Sequence, residues 1–200
     1  MANPQQDQAA SFQTVDPATG EKGRRYEGHS VAQAKAIAAE VHAAQAAWRR
    51  SPIGERAVVM RRAAAFIREN RDRYAALMTA EMGKTVTDGR TELEKCAVSC
   101  EYFAERAEGF LARRPYDMSD HRPGAPKAPR AFVTFNPLGV VLAVMPWNFP
   151  FWQAMRFAAP NLMAGQWRRP EARLQCPRQR ACTRGDLREA GFPKNLSARS

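Results

Sequence analysis

The sequence has no Gly-x-Gly-x-x-Gly run and no Walker loop, so neither common glycine-rich phosphate cradle is encoded. Histidine is scarce: His29, His42 and His121 are the only three, all in loop or helix-surface contexts. The four cysteines fall into two pairs. Cys96 and Cys100 stand one helical turn apart and read as small core residues, because a Cys-x₃-Cys pair alone does not make a zinc site. Cys176 and Cys182 lie in a tract without apolar periodicity and carry no inference, so no metal is expected. Long apolar runs are missing too. The most apolar stretch, residues 138–152, falls short of the about 20 residues of a membrane span and is broken by Pro146 and Pro150. The polar residues 1–8 lack the basic and apolar regions of a secretory signal. These absences lead to the expectation of a soluble, cytoplasmic protein with no membrane partner.

Charge of one sign is in excess, with a formal net charge of +11, but it is unevenly placed. Residues 1–165 carry 22 Lys/Arg against 17 Asp/Glu, whereas the last 35 residues carry 9 against 3. More than half of the excess therefore sits in under a fifth of the chain. A nucleic-acid-binding module would use that tail for weak, salt-steep contact with phosphates. Trp167 is the only aromatic of the Arg-rich tract 166–184, too few for a stacking platform, so nucleic acid is an unfavoured partner.

The stretch around which the chain is organised is residues 137–150, Pro-Leu-Gly-Val-Val-Leu-Ala-Val-Met-Pro-Trp-Asn-Phe-Pro. Val140–Met145 is an uninterrupted apolar hexamer, which reads as a parallel strand buried on both faces. Pro146 cannot donate to a ladder and ends it. Phe151, Met155, Ala158 and Leu162 then follow at helical spacing, with Gly165 as the stop. Residues 147–150 therefore lie between the carboxyl end of a buried strand and a helix, where ligands bind in open α/β sheets. Asn148 is the only polar side chain there. A lone Asn in a turn is most often a turn residue, but its two N–H donors could also stabilise a developing oxyanion.

Residues 137–152 resemble the aldehyde dehydrogenase superfamily, in particular its succinate-semialdehyde dehydrogenase-like members. The resemblance implies that Asn148 is an oxyanion-hole donor and that Met145, Pro146 and Trp147 line the site of NAD or NADP. It further implies oxidation of a small-molecule aldehyde to the carboxylate by a cysteine thiolate, with hydride passing to the cofactor and a glutamate activating water. The nucleophile and the general base are expected beyond residue 200, so this chain is expected to be an inactive fragment. Family members are homo-oligomers, most of whose assembly elements are expected to be missing here. A truncated subunit that docks on a full-length relative is a further alternative.

The rest of the chain fits the same order. Residues 12–15 and 21–28 flank the turn Asp-Pro-Ala-Thr-Gly (16–20) and form a hairpin, resembling a family opening that has Asn in place of Asp16. Ser30 and Gln33 make a capping box for a helix with inward Ile37, Val41, Ala44 and Trp48. A second helix, about 54–70, turns Met60, Ala63, Ala64 and Ile67 inward and Arg61, Arg62 and Arg68 outward. A third, 71–82, presents Tyr74, Leu77 and Met78 and ends at Gly83. The turn that follows, through Lys84, resembles the family's Glu-x-Gly-Lys. A fourth, about 88–113, carries Leu93, Cys96, Cys100, Phe103, Ala107 and Leu111. Residues 114–130 read as a connecting loop and 131–136 as a half-buried strand; about 114–136 corresponds to the family's oligomerisation hairpin.

After Gly165 the text changes. The family continues with a second buried strand bearing a ribose-binding Lys, whereas residues 166–184 contain six Arg and no apolar period, and read as neither strand nor amphipathic helix. Residues 187–196 resemble the family again. Residues 172–178 can be written with codons that, read one base later, give His-Ala-Ser-Asn-Val-Pro, a phrase that the resemblance places here. A one-base shift of frame after Gly165 and a second near residue 196 are therefore expected. The fold class expected is α/β: an amino-terminal helical layer plus the first, incomplete part of a Rossmann-like parallel sheet. Residues 1–165 form the amino-terminal part of the NAD(P)-binding domain, and 166–200 an irregular Arg-rich tail.

Overall fold

The computed structural model describes residues 11–117 and 130–172. His121, Cys176, Cys182 and the family-like residues 187–196 lie outside them.

The chain opens with an antiparallel hairpin of β1 (Ser11–Val15) and β2 (Lys22–Glu27). Its turn is held by Asp16, whose Oδ1 accepts from the backbone N–H groups of Ala18 and Thr19 at 2.8 and 3.2 Å. An aspartate oxygen serves here as an asparagine oxygen would. Four helices follow: α1 (Val31–Trp48), α2 (Ile53–Glu69), α3 (Arg71–Met82) and α4 (Val86–Leu111). The expected capping box starts α1: Gln33 N–H donates to Ser30 Oγ at 3.2 Å, and Ser30 N–H to Gln33 Oε1 at 2.8 Å. Gly83, in the left-handed conformation, ends α3, and the Thr85 hydroxyl accepts from Asp88 N–H to start α4.

The core lies where these stripes meet. Met60, Ala63, Ala64 and Ile67 of α2 and Tyr74 and Met78 of α3 pack with Leu93, Cys96, Cys100 and Ala107 of α4. Of the residues expected inward, Ile37, Ala44, Phe103 and Leu111 are only partly buried against this core. Gly89 lets α3 and α4 approach, since a Cβ there would come within 3.0 Å of the Ala75 Cα.

Two short strands, β3 (Arg114–Pro115) and β4 (Phe132–Val133), pair antiparallel. Residues 131–136 were expected to be half-buried. Phe132, Val133 and Phe135 are instead exposed, because among the described residues nothing covers this arm.

The parallel sheet is made by β5 (Val140–Met145) and β6 (Trp167–Ala172), joined by α5 (Pro150–Met163) and in register from Val140 opposite Trp167 to Met145 opposite Ala172. Two expectations need correction here. The chain after Gly165 is not irregular from the outset. Its first residues form β6, because a ladder is made by backbone groups and the edge of β5 offers them whatever side chains arrive. Pro170 is tolerated because β6 borders the sheet on its far side among the described residues. Nor is β5 buried on both faces. Ala143 is buried and Val141 and Met145 half-buried on the side covered by α1 and α5, while Val140, Leu142 and Val144 are 37, 60 and 62% exposed. The hexamer is apolar on both faces, but the described residues supply a layer for only one.

Candidate functional site

The site is built at the carboxyl end of β5. Met145 is half-buried, Pro146 stops the ladder, and Trp147, Asn148 and Phe149 are exposed on the turn into α5. The Asn148 side chain makes no hydrogen bond to another described residue, so its two N–H donors and its carbonyl face solvent and any ligand. Met145, Pro146 and Trp147 precede it directly, so all four residues singled out in the sequence come together on one edge.

The turn is anchored from below by residues whose role here the sequence did not reveal. Phe149 occupies the N-cap of α5 and has no side-chain acceptor; Pro150 at the first helical position has no N–H to leave unmade. The next two N–H groups, of Phe151 and Trp152, have no partner within the helix. Glu92 of α4 supplies it: its Oε1 accepts from both, each at 2.9 Å. Its Oε2 pairs with the Lys84 ammonium. The two side chains are only 1% and 10% exposed, so this ion pair lies almost entirely out of water. Lys84 also lies over the Phe149 ring, 3.9 Å from its centroid. The Phe151 ring stacks on Tyr74, with centroids 5.2 Å apart.

The physical reason for the arrangement is the helix end. An anion is favoured at a helix N-terminus, and a hydrogen bond to a charged group contributes about 1.5–3 kcal/mol. Burying a carboxylate would outweigh this unless it were paired, and Lys84 pairs it. A consequence is chemical: the two N–H groups that a helix start commonly offers to phosphate are already taken. Any phosphate of a ligand has to find its donors elsewhere, and what residues 145–147 offer is apolar surface.

The far end of α5 is tied down as well. Trp48 Nε1 donates to the Leu162 carbonyl at 2.9 Å and Gln45 Nε2 to the Gly165 carbonyl at 3.3 Å. The buried Arg56 guanidinium lies against Gly165, where a cation suits the negative end of a helix. Desolvation lowers the Arg56 pKa, but an arginine remains protonated in proteins. Gly165 has a φ of +78°, and a Cβ there would sit 2.8 Å from Arg56 Nη1. Helix α5 is thus held by an acid at its start and a base at its end, both from the helical layer.

Cys96 and Cys100, on the same buried stripe of α4 as Glu92, are not candidate nucleophiles. Burial is the largest cause raising both thiols, Cys100 to about 12. Among the described residues no group of three or more His, Cys, Asp or Glu could hold a metal ion. No described helix is long and apolar enough to cross a membrane.

Glu92 could have been found only from its position. It lies three residues after Gly89 and four before Cys96, on the buried stripe of α4, where a lone acid needs a partner. Lys84 was visible as part of a turn motif, without its role.

A parallel strand–turn–helix unit, backed by a helical layer and carrying an uncommitted amide at the strand's carboxyl end, defines an α/β protein with an incomplete Rossmann-like sheet and a candidate ligand site at its edge. Comparison with known proteins makes this specific. The pattern of the Aldehyde dehydrogenase family matches residues 4–196, and the chain belongs to that family. It is 37% identical over 181 residues to a probable succinate-semialdehyde dehydrogenase [NADP(+)] of Synechocystis, covering 90% of this chain and 38% of that protein. It is 43% identical over 152 residues to succinate-semialdehyde dehydrogenase [NADP(+)] 1 of Mycobacterium bovis, covering 76% of this chain and 32% of that protein. Among solved structures, the succinic semialdehyde dehydrogenase from Streptococcus pyogenes in complex with NADP+ superposes with a TM-score of 0.84 at 30% identity, over 92% of this chain and 39% of that one. The chain thus spans under two fifths of the length of these relatives.

Proposed function

We propose that these residues form part of the active site of an NAD(P)-dependent oxidoreductase that converts an aldehyde of the succinate-semialdehyde kind to its carboxylate. The observation that carries this reading is the Asn148 amide, free of partners among the described residues and mounted on a turn that the helical layer holds. In the proposed reaction Asn148 donates hydrogen bonds to the oxygen of the attacked carbonyl as it gains negative charge. Met145, Pro146 and Trp147 offer the cofactor an apolar wall, consistent with NAD or NADP lying beside them rather than setting its phosphates on α5. When bound, the cofactor supplies the hydride acceptor. Family membership and the names of the relatives support the substrate class. The exposed β3–β4 arm, with Phe132, Val133 and Phe135, is the proposed region of subunit assembly.

Neither described cysteine can act as the thiolate, so a Cys176→Ser, Cys182→Ser form of the chain alone should not reduce NAD or NADP in the presence of succinate semialdehyde. Residues 12–165, grafted in place of the corresponding segment of the Mycobacterium bovis relative, should support that reduction. A folded graft without activity would overturn the proposal.

A further inference from the structure

We infer that Glu92, held by Lys84, is the positioning residue of the Asn148 turn, acting through the first two free N–H groups of α5. The inference rests on reading Asn148 as the oxyanion donor and assigns the groups that aim it. Asn148 has no hydrogen-bond partner among the described residues, so its direction is set by the backbone on either side. On one side that backbone is fixed by the β5 ladder and by Pro146. On the other it is fixed by Glu92, which accepts from Phe151 and Trp152 at 2.9 Å each. No side chain of the turn provides a cap.

Lys84 has two parts in this. It neutralises the buried carboxylate through Oε2, leaving Oε1 for the two N–H groups. It also covers the ring of Phe149, the residue between Asn148 and Pro150, so one ammonium group holds both the cap and the turn residue next to the donor. Because Glu92 belongs to α4, which also carries Leu93, Cys96 and Cys100 in the core, the turn is referenced to the rigid helical layer rather than to the sheet edge. A loop donor positioned in this way does not have to be ordered by its substrate.

The test uses the full chain without substrate, so its result is independent of whether the aldehyde reaction occurs. Amide hydrogen exchange is followed at Phe151 and Trp152, and chymotryptic cleavage at the exposed Trp147–Asn148 bond. In the wild-type chain both amides should be protected, although first-turn amides ordinarily are not. Glu92→Leu should speed their exchange by about tenfold or more, the loss expected for charge-assisted hydrogen bonds, and should speed cleavage at Asn148. Lys84→Met alone, which leaves the carboxylate unpaired, should loosen the turn too. Lys84→Met combined with Glu92→Gln restores a neutral acceptor without a stranded charge and should recover most of the protection. Ile67→Val, which weakens the core elsewhere, should leave these two amides unchanged relative to their neighbours. Wild-type exchange in Glu92→Leu, or loosening by Ile67→Val of the same local pattern, would overturn the inference.

Discussion

At the scale of the residue, two acids and two thiols show how environment decides chemistry. Glu92 is buried and works as an acceptor for two N–H groups, whereas Glu101, on the surface of the same helix, accepts from Arg68. Cys96 and Cys100 are fully buried with their thiols raised chiefly by desolvation, so they behave as apolar residues. In a Cys176→Ser, Cys182→Ser chain, Ellman's reagent at pH 8 should find no reactive thiol until denaturant is added. Rapid reaction of either cysteine in the folded chain would contradict this. Their core role was legible, because two small apolar residues at i, i+4 on a helix stripe have few other uses. The role of Glu92 was not, since a charge in the middle of a helix is ordinarily solvated and its partners lie far along the chain, at Lys84, Phe151 and Trp152.

At the scale of the element, the helices were the most legible part. Each carries an apolar stripe at helical spacing, and packing buries most of it, leaving Ile37, Ala44, Leu77, Phe103 and Leu111 half-buried at its margins. β5 was half legible: its strand nature follows from a continuous apolar run, but covering a second face depends on residues beyond the strand itself. The two faces should therefore respond differently. Leu142→Ser, on the open face, should change stability by within about 0.5 kcal/mol, whereas Leu162→Ala, under the closed face in α5, should cost about 2–5 kcal/mol. Chemical denaturation of both variants measures this, and equal losses would mean that the open face is covered. β6 was missed because its side-chain pattern carries no strand period, while its pairing is made by backbone alone.

The α2–α4 contact offers a check against pH. Arg68 binds both Glu94 and Glu101 across this interface. Its hydrogen bond is the largest cause holding the Glu101 carboxyl below the ordinary 4.5. A depressed carboxylate stabilises the fold above its unfolded pKa, and that contribution disappears as pH falls through the lowered folded value. Because the Glu101 side chain is 38% exposed, solvent screening limits the contribution to about 1 kcal/mol or less. Thermal unfolding of Glu101→Gln should fall slightly below the wild type at pH 7, with the deficit shrinking as pH falls below the ordinary carboxylate value. A larger deficit at pH 3 than at pH 7 would reverse the sign and refute the assignment.

At the scale of the whole molecule, the chain is a helical layer with the first parallel βα unit of a family whose relatives are more than twice as long. The family was legible from the Pro-Trp-Asn-Phe-Pro run and its setting, because a strand stop, an aromatic, an amide donor and a helix start are chained in five residues. What that run could not disclose is how the turn is held, which requires α4 beneath it. Turn and helical layer meet in the proposed role of Asn148: aimed from below, it would stabilise the oxyanion of an aldehyde under oxidation. The most direct measurement is the steady-state kinetics of Asn148→Ala in the enzyme carrying residues 12–165 of this chain, with succinate semialdehyde and NADP. The account predicts a kcat lowered by roughly 10²–10³ with a much smaller change in the KM for NADP. An unchanged kcat in a folded, cofactor-binding variant would contradict it.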